Sequence, residues 1–180
     1  MKHAAAGSRR FAVAVGVAVV AGVIALGLGS CSRVVGSPIT PVPTEVSASA
    51  DPTIVALQAA LGGEYAASYA YGVIGGRLTT AADQAAALAA LTTHDELRDR
   101  LRTDITALAG QPGVPAPGYQ LPFPVQTPAQ ARSLAVDVET KSVALWQQVA
   151  AHATGATQQW AAAAAAGCQQ RATKWSKPGG

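Results

Sequence analysis

Glu64, His94, Arg98 and Glu139 are charged or ligating side chains that fall on otherwise apolar helical seams. Spacing by three and four on the first helical segment gives Ile54, Leu57, Leu61, Glu64, Ser68, Tyr71, Gly75 and Leu78, with Glu64 in mid-stripe. The next segment gives Ala87, Leu91, His94, Arg98, Leu101, Ile105 and Leu108, so His94 and Arg98 are expected to face inward one turn apart. A third stripe of Ala135, Val138, Ser142, Leu145 and Val149 has Glu139 at its edge. An unpaired buried charge is very costly, so these groups must satisfy one another or share a cation. Two chemistries follow. Carboxylates and an imidazole on facing helices bind a divalent metal. Alternatively, Arg98 and His94 neutralise Glu64 and Glu139 as a buried ionic cluster. A guanidinium one turn from His94 would repel a divalent cation, which favours the ionic cluster.

Four helices must position these groups. The first is expected from about Pro52 to Leu78, opened by Asp51-Pro52, an N-cap followed by proline at the first helical position. Thr79-Thr80 opens the second, which runs from about Ala81 to Ala109 and is stopped by Gly110 and Pro112. Pro112, Pro115, Pro117, Pro122 and Pro124 exclude a helix from the next stretch. Thr127-Pro128 opens the third, which runs to about Ala153, and Gly155 breaks it. The fourth spans about Thr157 to Trp175. No segment alternates as a strand would. The fold class expected is all-α, an antiparallel four-helix bundle over residues 52–176 with a long Pro-rich crossover between helices 2 and 3, and a flexible tail at 177–180. Aromatic residues make up only 5% of the chain, so its core must be built mainly from Ala and Leu.

Other candidates have blander explanations. The alternating charges from Asp95 to Asp104 read as a solvated face apart from Arg98, with Glu96 and Arg100 as an i,i+4 pair. Trp146 and Trp160 read as packing residues, whereas Trp175 with Lys174 and Lys177 could rest on a membrane surface. His152 suits a helix C-terminus. Cys168 reads as a small buried residue with no basic neighbour. Tyr69, Tyr71, Tyr119 and Phe123 could line a groove where the crossover packs on helix 1. No nucleophile triad, phosphate loop or zinc spacing is present, which leaves enzymatic activity open and favours a non-catalytic role.

The N-terminus sets the expected address. Lys2, Arg9 and Arg10 precede an uncharged run from Phe11 to Gly29, and Leu28-Gly29-Ser30-Cys31 follows the pattern of a lipobox. Residues 1–30 are expected to be a lipoprotein signal peptide and Cys31 the lipidated, palmitate-bearing first residue of the mature chain. An uncleaved anchor is the alternative, since about 19 apolar residues can just span a bilayer. Ser8-Arg9-Arg10 leaves both general and twin-arginine export open. Residues 31–51, rich in Pro, Ser and Thr, read as a linker holding the domain off the membrane. The formal charge of +3 is 13 basic minus 10 acidic residues, and removing Lys2, Arg9 and Arg10 leaves 10 of each. Such a neutral chain lacks the footprint for nucleic acid.

One inward Glu on helix 1, a His on helix 2, a Glu on helix 3 and the long crossover together resemble the ferritin-like fold. Ala56 to Leu61, Glu64-Tyr65-Ala66-Ala67, Tyr69 to Val73 and Tyr119-Gln120-Leu121-Pro122-Phe123-Pro124-Val125 resemble a ferritin-like domain family of unknown function from high-GC Gram-positive bacteria. The resemblance implies a fold without an activity. Against the ferritin pattern of Glu followed by Glu-x-x-His, twice, Glu64, His94 and Glu139 match. Leu91 and Ala166 stand where the bridging carboxylates belong, and Gln169 stands in place of the second His. The di-iron site is therefore degenerate, because two irons need those bridging carboxylates. The expectation is a lipid-anchored envelope protein on the extracytoplasmic face of the cell membrane, with a non-catalytic binding or structural role and no cofactor. Its partners would be the membrane and an envelope protein or small ligand, with a homodimer open. The alternative is a metal-binding or redox protein holding iron or another divalent metal at Glu64, His94, Glu139 and Gln169.

Overall fold

The computed structural model describes residues 51–177; the signal, Cys31, nearly all of the linker and residues 178–180 lie outside them. Four helices form: α1 Pro52–Gly75, α2 Ala81–Ala107, α3 Pro128–His152 and α4 Gly155–Ser176. The fold is an all-α four-helix bundle, and no strand occurs among the described residues. None of these helices is long and apolar enough to cross a membrane.

Local chemistry accounts for the ends. The Asp51 carboxylate accepts from the Thr53 amide at 2.7 Å, with Pro52 behind it. Thr80 accepts from the Asp83 amide. Thr127 and Gln130 form a reciprocal capping box, satisfying two amides that a helix start leaves bare. α2 closes earlier than its sequence suggests. Ala109, at φ 59°, is the left-handed residue there, with Ala109 N–H donating to Thr106 O and Gly110 N–H to Ile105 O. Gly155 starts α4 at φ 60° instead of lying outside it.

Cross-helix contacts give the directions. Thr53 at the start of α1 bonds the carbonyl of His152 at the end of α3, while Tyr71 near the end of α1 reaches Glu139 in mid-α3. Ser68 bonds Asp95, and Tyr65 receives Arg102 further along α2. α1 is thus antiparallel to both α2 and α3, so α2 and α3 run parallel and the chain between them must travel the length of the bundle. Residues 108–127 do so along α1. Gln58 clamps Gln111 O and the Gly113 amide, Tyr65 bonds Gly113 O, and Arg77 bonds Val125 O. At Gly63 the approach of α3 is close enough that a Cβ would stand 2.3 Å from Leu145 Cδ1.

The buried apolar residues form two clusters. Leu57, Leu61, Leu101, Ile105, Trp146, Val149 and Cys168 belong to one. Tyr71, Ile74, Leu78, Leu134 and Trp175 belong to the other. Trp175 is therefore a core residue, its ring 6.4 Å from that of Tyr71 and tilted by 45° with Arg132 over it, and offers no surface for a membrane.

Candidate functional site

Neither apolar cluster contains Glu64, His94, Glu139 or Ser142, which are the buried polar residues among those described. Glu64 on α1, His94 on α2 and Glu139 on α3 meet. His94 Nδ1 is 2.6 Å from Glu64 Oε2, and Nε2 is 3.4 Å from Glu139 Oε1. Burial alone would push the imidazole towards its neutral form. Its bonds to Glu139 and Glu64 outweigh that and lift its pKa to about 9. At neutral pH the ring is an imidazolium donating to both carboxylates.

Neutral donors complete the arrangement. The Trp146 indole N–H donates to Glu64 Oε1 at 2.8 Å, and the Tyr71 hydroxyl donates to Glu139 Oε1 at 2.5 Å while its ring stacks on His94. Burial, reinforced by Glu139, drives the Tyr71 phenol far above its ordinary pKa, so it remains a proton donor.

The second cation comes from α4. Arg171 Nε donates to Glu139 Oε1 at 2.7 Å and Nη2 reaches Cys168 Sγ at 3.1 Å. Burial would raise the Glu139 pKa, but the bonds from His94 and Arg171 win and hold it below the usual carboxylate range. Burial would lower the Arg171 pKa, and Glu139 raises it instead. Three donors thus converge on Glu139 Oε1, while Oε2 is the one sealed side-chain oxygen without a partner among the described residues.

Arg98 is not part of this cluster. Its guanidinium is bonded to Asp95 at 2.6 Å and Asp99 at 2.9 Å, and the Asp99 bond leads the factors that raise its pKa. The buried seam steps from His94 by three to the half-buried Leu97 and then by four to Leu101, which leaves Arg98 on the flank. Gln169 is exposed and does not reach the cluster, and Ala166 is exposed too, because the inward face of α4 is Ala161, Ala165, Cys168, Ala172 and Trp175. Glu139 is fully buried mid-seam and not at an edge. Arg100 pairs with Asp104 instead of Glu96. Cys168 does have a basic neighbour, yet burial dominates and pushes its thiol up to about 12, so it stays protonated. Sequence reasoning missed Arg171, although it is the one cation of α4 within a turn of Cys168.

The donor set is closed on itself by protons and by Arg171. A ligand must offer a lone pair, so an ion here would have to displace a proton from His94 and compete with the hydrogen bonds that three of the four carboxylate oxygens accept from the protein. Among the described residues no three His, Cys, Asp or Glu side chains are arranged to hold an ion. The arrangement is two anions closed by two cations.

The family model described as "Domain of unknown function (DUF4439)" matches residues 56–180. A solved structure, that of the conserved hypothetical protein rv2844 from Mycobacterium tuberculosis, is similar at 30% identity and a TM-score of 0.67. The similarity covers 71% of this chain and 96% of that one. Nothing among curated proteins matches.

The two arginines are separable by mutation. Arg171→Met is expected to cost about 3 kcal/mol in urea unfolding, because it leaves a buried carboxylate short of a cation. Arg98→Met, which breaks pairs on the surface, should cost less than about 1 kcal/mol; equal losses would contradict the placement. The His94 pKa is raised above its unfolded value of 6.5, so its stabilisation is complete below that pH and disappears as pH climbs through about 9. Glu139, with a lowered pKa, stabilises above its unfolded value of 4.5 and loses this as pH falls. Unfolding midpoints should therefore decline from pH 6 to pH 10, and His94→Gln should flatten that decline.

Proposed function

The chain belongs to the family described as domain of unknown function (DUF4439), and on that footing we propose that it is a non-catalytic ferritin-like module displayed at the cell envelope. In this reading the di-iron site has become a structural ionic lock, and a lipid on Cys31 tethers the domain to the extracytoplasmic face of the membrane. Its task is to bind an envelope protein or a small ligand.

One observation carries the non-catalytic half: the Arg171 guanidinium sits on Glu139, supplying from α4 the positive charge that a metal would bring. Chemistry of the ferritin kind needs carboxylates and imidazoles with free lone pairs, and here they are committed to protons. Cys168 offers no thiolate either. The anchoring half is supported by the basic start, the apolar run and the Leu28 to Cys31 pattern.

Each half has its own test. The full-length chain, titrated with iron, zinc and manganese and freed of excess, should retain far less than one metal per chain by elemental analysis. Near-stoichiometric metal that vanishes in Glu64→Ala would overturn the ionic-lock reading. For the anchor, cells fed a labelled fatty acid should incorporate it into the wild type and not into Cys31→Ser. Equal labelling of the two would rule out acylation at Cys31.

A further inference from the structure

A groove of about 230 Å³ lies where the crossover crosses α1 and α3. Ala66 and Tyr69 of α1, Leu134 and Ser142 of α3, and Tyr119 and Leu121 of the crossover line it. Neither Tyr71 nor Phe123, expected with the other two tyrosines, takes part; Tyr71 is buried beside His94.

Four properties define what would fit. The lining is mainly apolar, and Tyr69 and Tyr119 stand 5.5 Å apart with planes tilted by 41°, offering π faces to a flat molecule. The ionisable pair on the lining, Asp137 and Lys141, is closed on itself at 2.8 Å, so a charged ligand would find no free counter-charge there. Ser142 is 97% buried, yet its hydroxyl bonds no described residue. Ser133 and Thr140 on the same helix donate to carbonyls one turn back. The Ser142 oxygen is also not among the sealed ones, which leaves it open to the groove. A hydroxyl that opens onto the groove with no protein partner can donate to or accept from a polar ligand atom seated there. Finally, an apolar cavity of about 150 Å³ holds benzene, so this volume suits a substituted ring or a fused pair.

We propose that this groove binds a small, uncharged aromatic molecule bearing one hydroxyl or carbonyl, which pairs with Ser142. This names a ligand class for the binding role above and rests on that role. The fatty-acid label tests the anchor and the dialysis below tests the ligand, so the two can fail separately.

The test is equilibrium dialysis of 2-naphthol against the full-length chain in detergent micelles. Variants in the same micelles cancel partition into detergent. Saturable binding of one 2-naphthol per chain is expected. Ser142→Ala should weaken it about 3- to 10-fold, the effect of one neutral hydrogen bond, while leaving naphthalene binding unchanged. Ala66→Leu, checked for helicity, should abolish both, and 2-naphthoate should bind at least about tenfold more weakly than 2-naphthol because its charge would be left unpaired. No saturable binding, an unchanged affinity in Ser142→Ala, or tighter binding of decanol than of 2-naphthol would overturn the proposal, the last in favour of an alkyl chain.

Discussion

Each helix contributes one charge to the middle of the bundle: Glu64 from α1, His94 from α2, Glu139 from α3 and Arg171 from α4. Much of the surrounding seam is alanine, such as Ala60, Ala67, Ala87, Ala90, Ala135, Ala161 and Ala165. Small side chains let helices pack closely, but they interlock weakly, and one alanine row slides past another at little cost. Hydrogen-bonded charges do not tolerate such sliding. A shift of one turn on any helix would strand a carboxylate or a cation in an apolar layer, at a cost of several kcal/mol. The net contribution of such a cluster to stability is small beside the cost of breaking it, so its value lies in selecting one register over others.

The rest of the fold follows from holding that register. Trp146 and Tyr71 serve as apolar bulk and as neutral donors, so one oxygen of each carboxylate gains an uncharged partner, while Glu139 Oε2 stays without one. Their rings lead into the two apolar clusters on either side, Trp146 against Trp160 and Tyr71 against Trp175. Because α2 and α3 run parallel, the crossover must travel the length of α1. Its prolines cannot donate backbone bonds, and side chains of α1, with Arg77 just beyond it, supply its anchorage instead. That route also builds the Tyr69–Tyr119 groove, so an open surface arises from the same constraint that closes the core.

The sequence was most legible where polar residues interrupt a clear period or a cap announces a helix. Asp51-Pro52, Thr80 and Thr127-Pro128 mark three helix starts correctly, and Glu64 and His94 stand out against leucines. Legibility failed where the phase is ambiguous. After His94 both the third and the fourth residue, Leu97 and Arg98, lie close to the seam, and packing chose Leu97. On α4 the run from Ala161 to Ala166 is apolar on every face, so no stripe can be read. A spacing carried over from α1 and α2 therefore pointed to Gln169, which faces solvent. Arg171 and Trp175 became visible only once α4 was docked.

The charge balance sets what a metal at this cluster would have to displace. Two carboxylates against an imidazolium and a guanidinium sum to zero, the state that a buried site tolerates best. Adding a divalent cation would leave a surplus of two, or of one if His94 gave up a proton. In a poorly polarisable interior either surplus is expensive. Removing Arg171 would restore the balance for one ion only if His94 also gave up a proton, and it would supply no bridging ligand. The position expected to provide one on α2 is Leu91, packed in apolar surroundings, and its counterpart on α4 is Ala166, which faces outward. A two-metal centre would thus require new carboxylates and a rotated α4 as well as the loss of a cation. The present arrangement is separated from a ferritin-type centre by helix phase as much as by residue type.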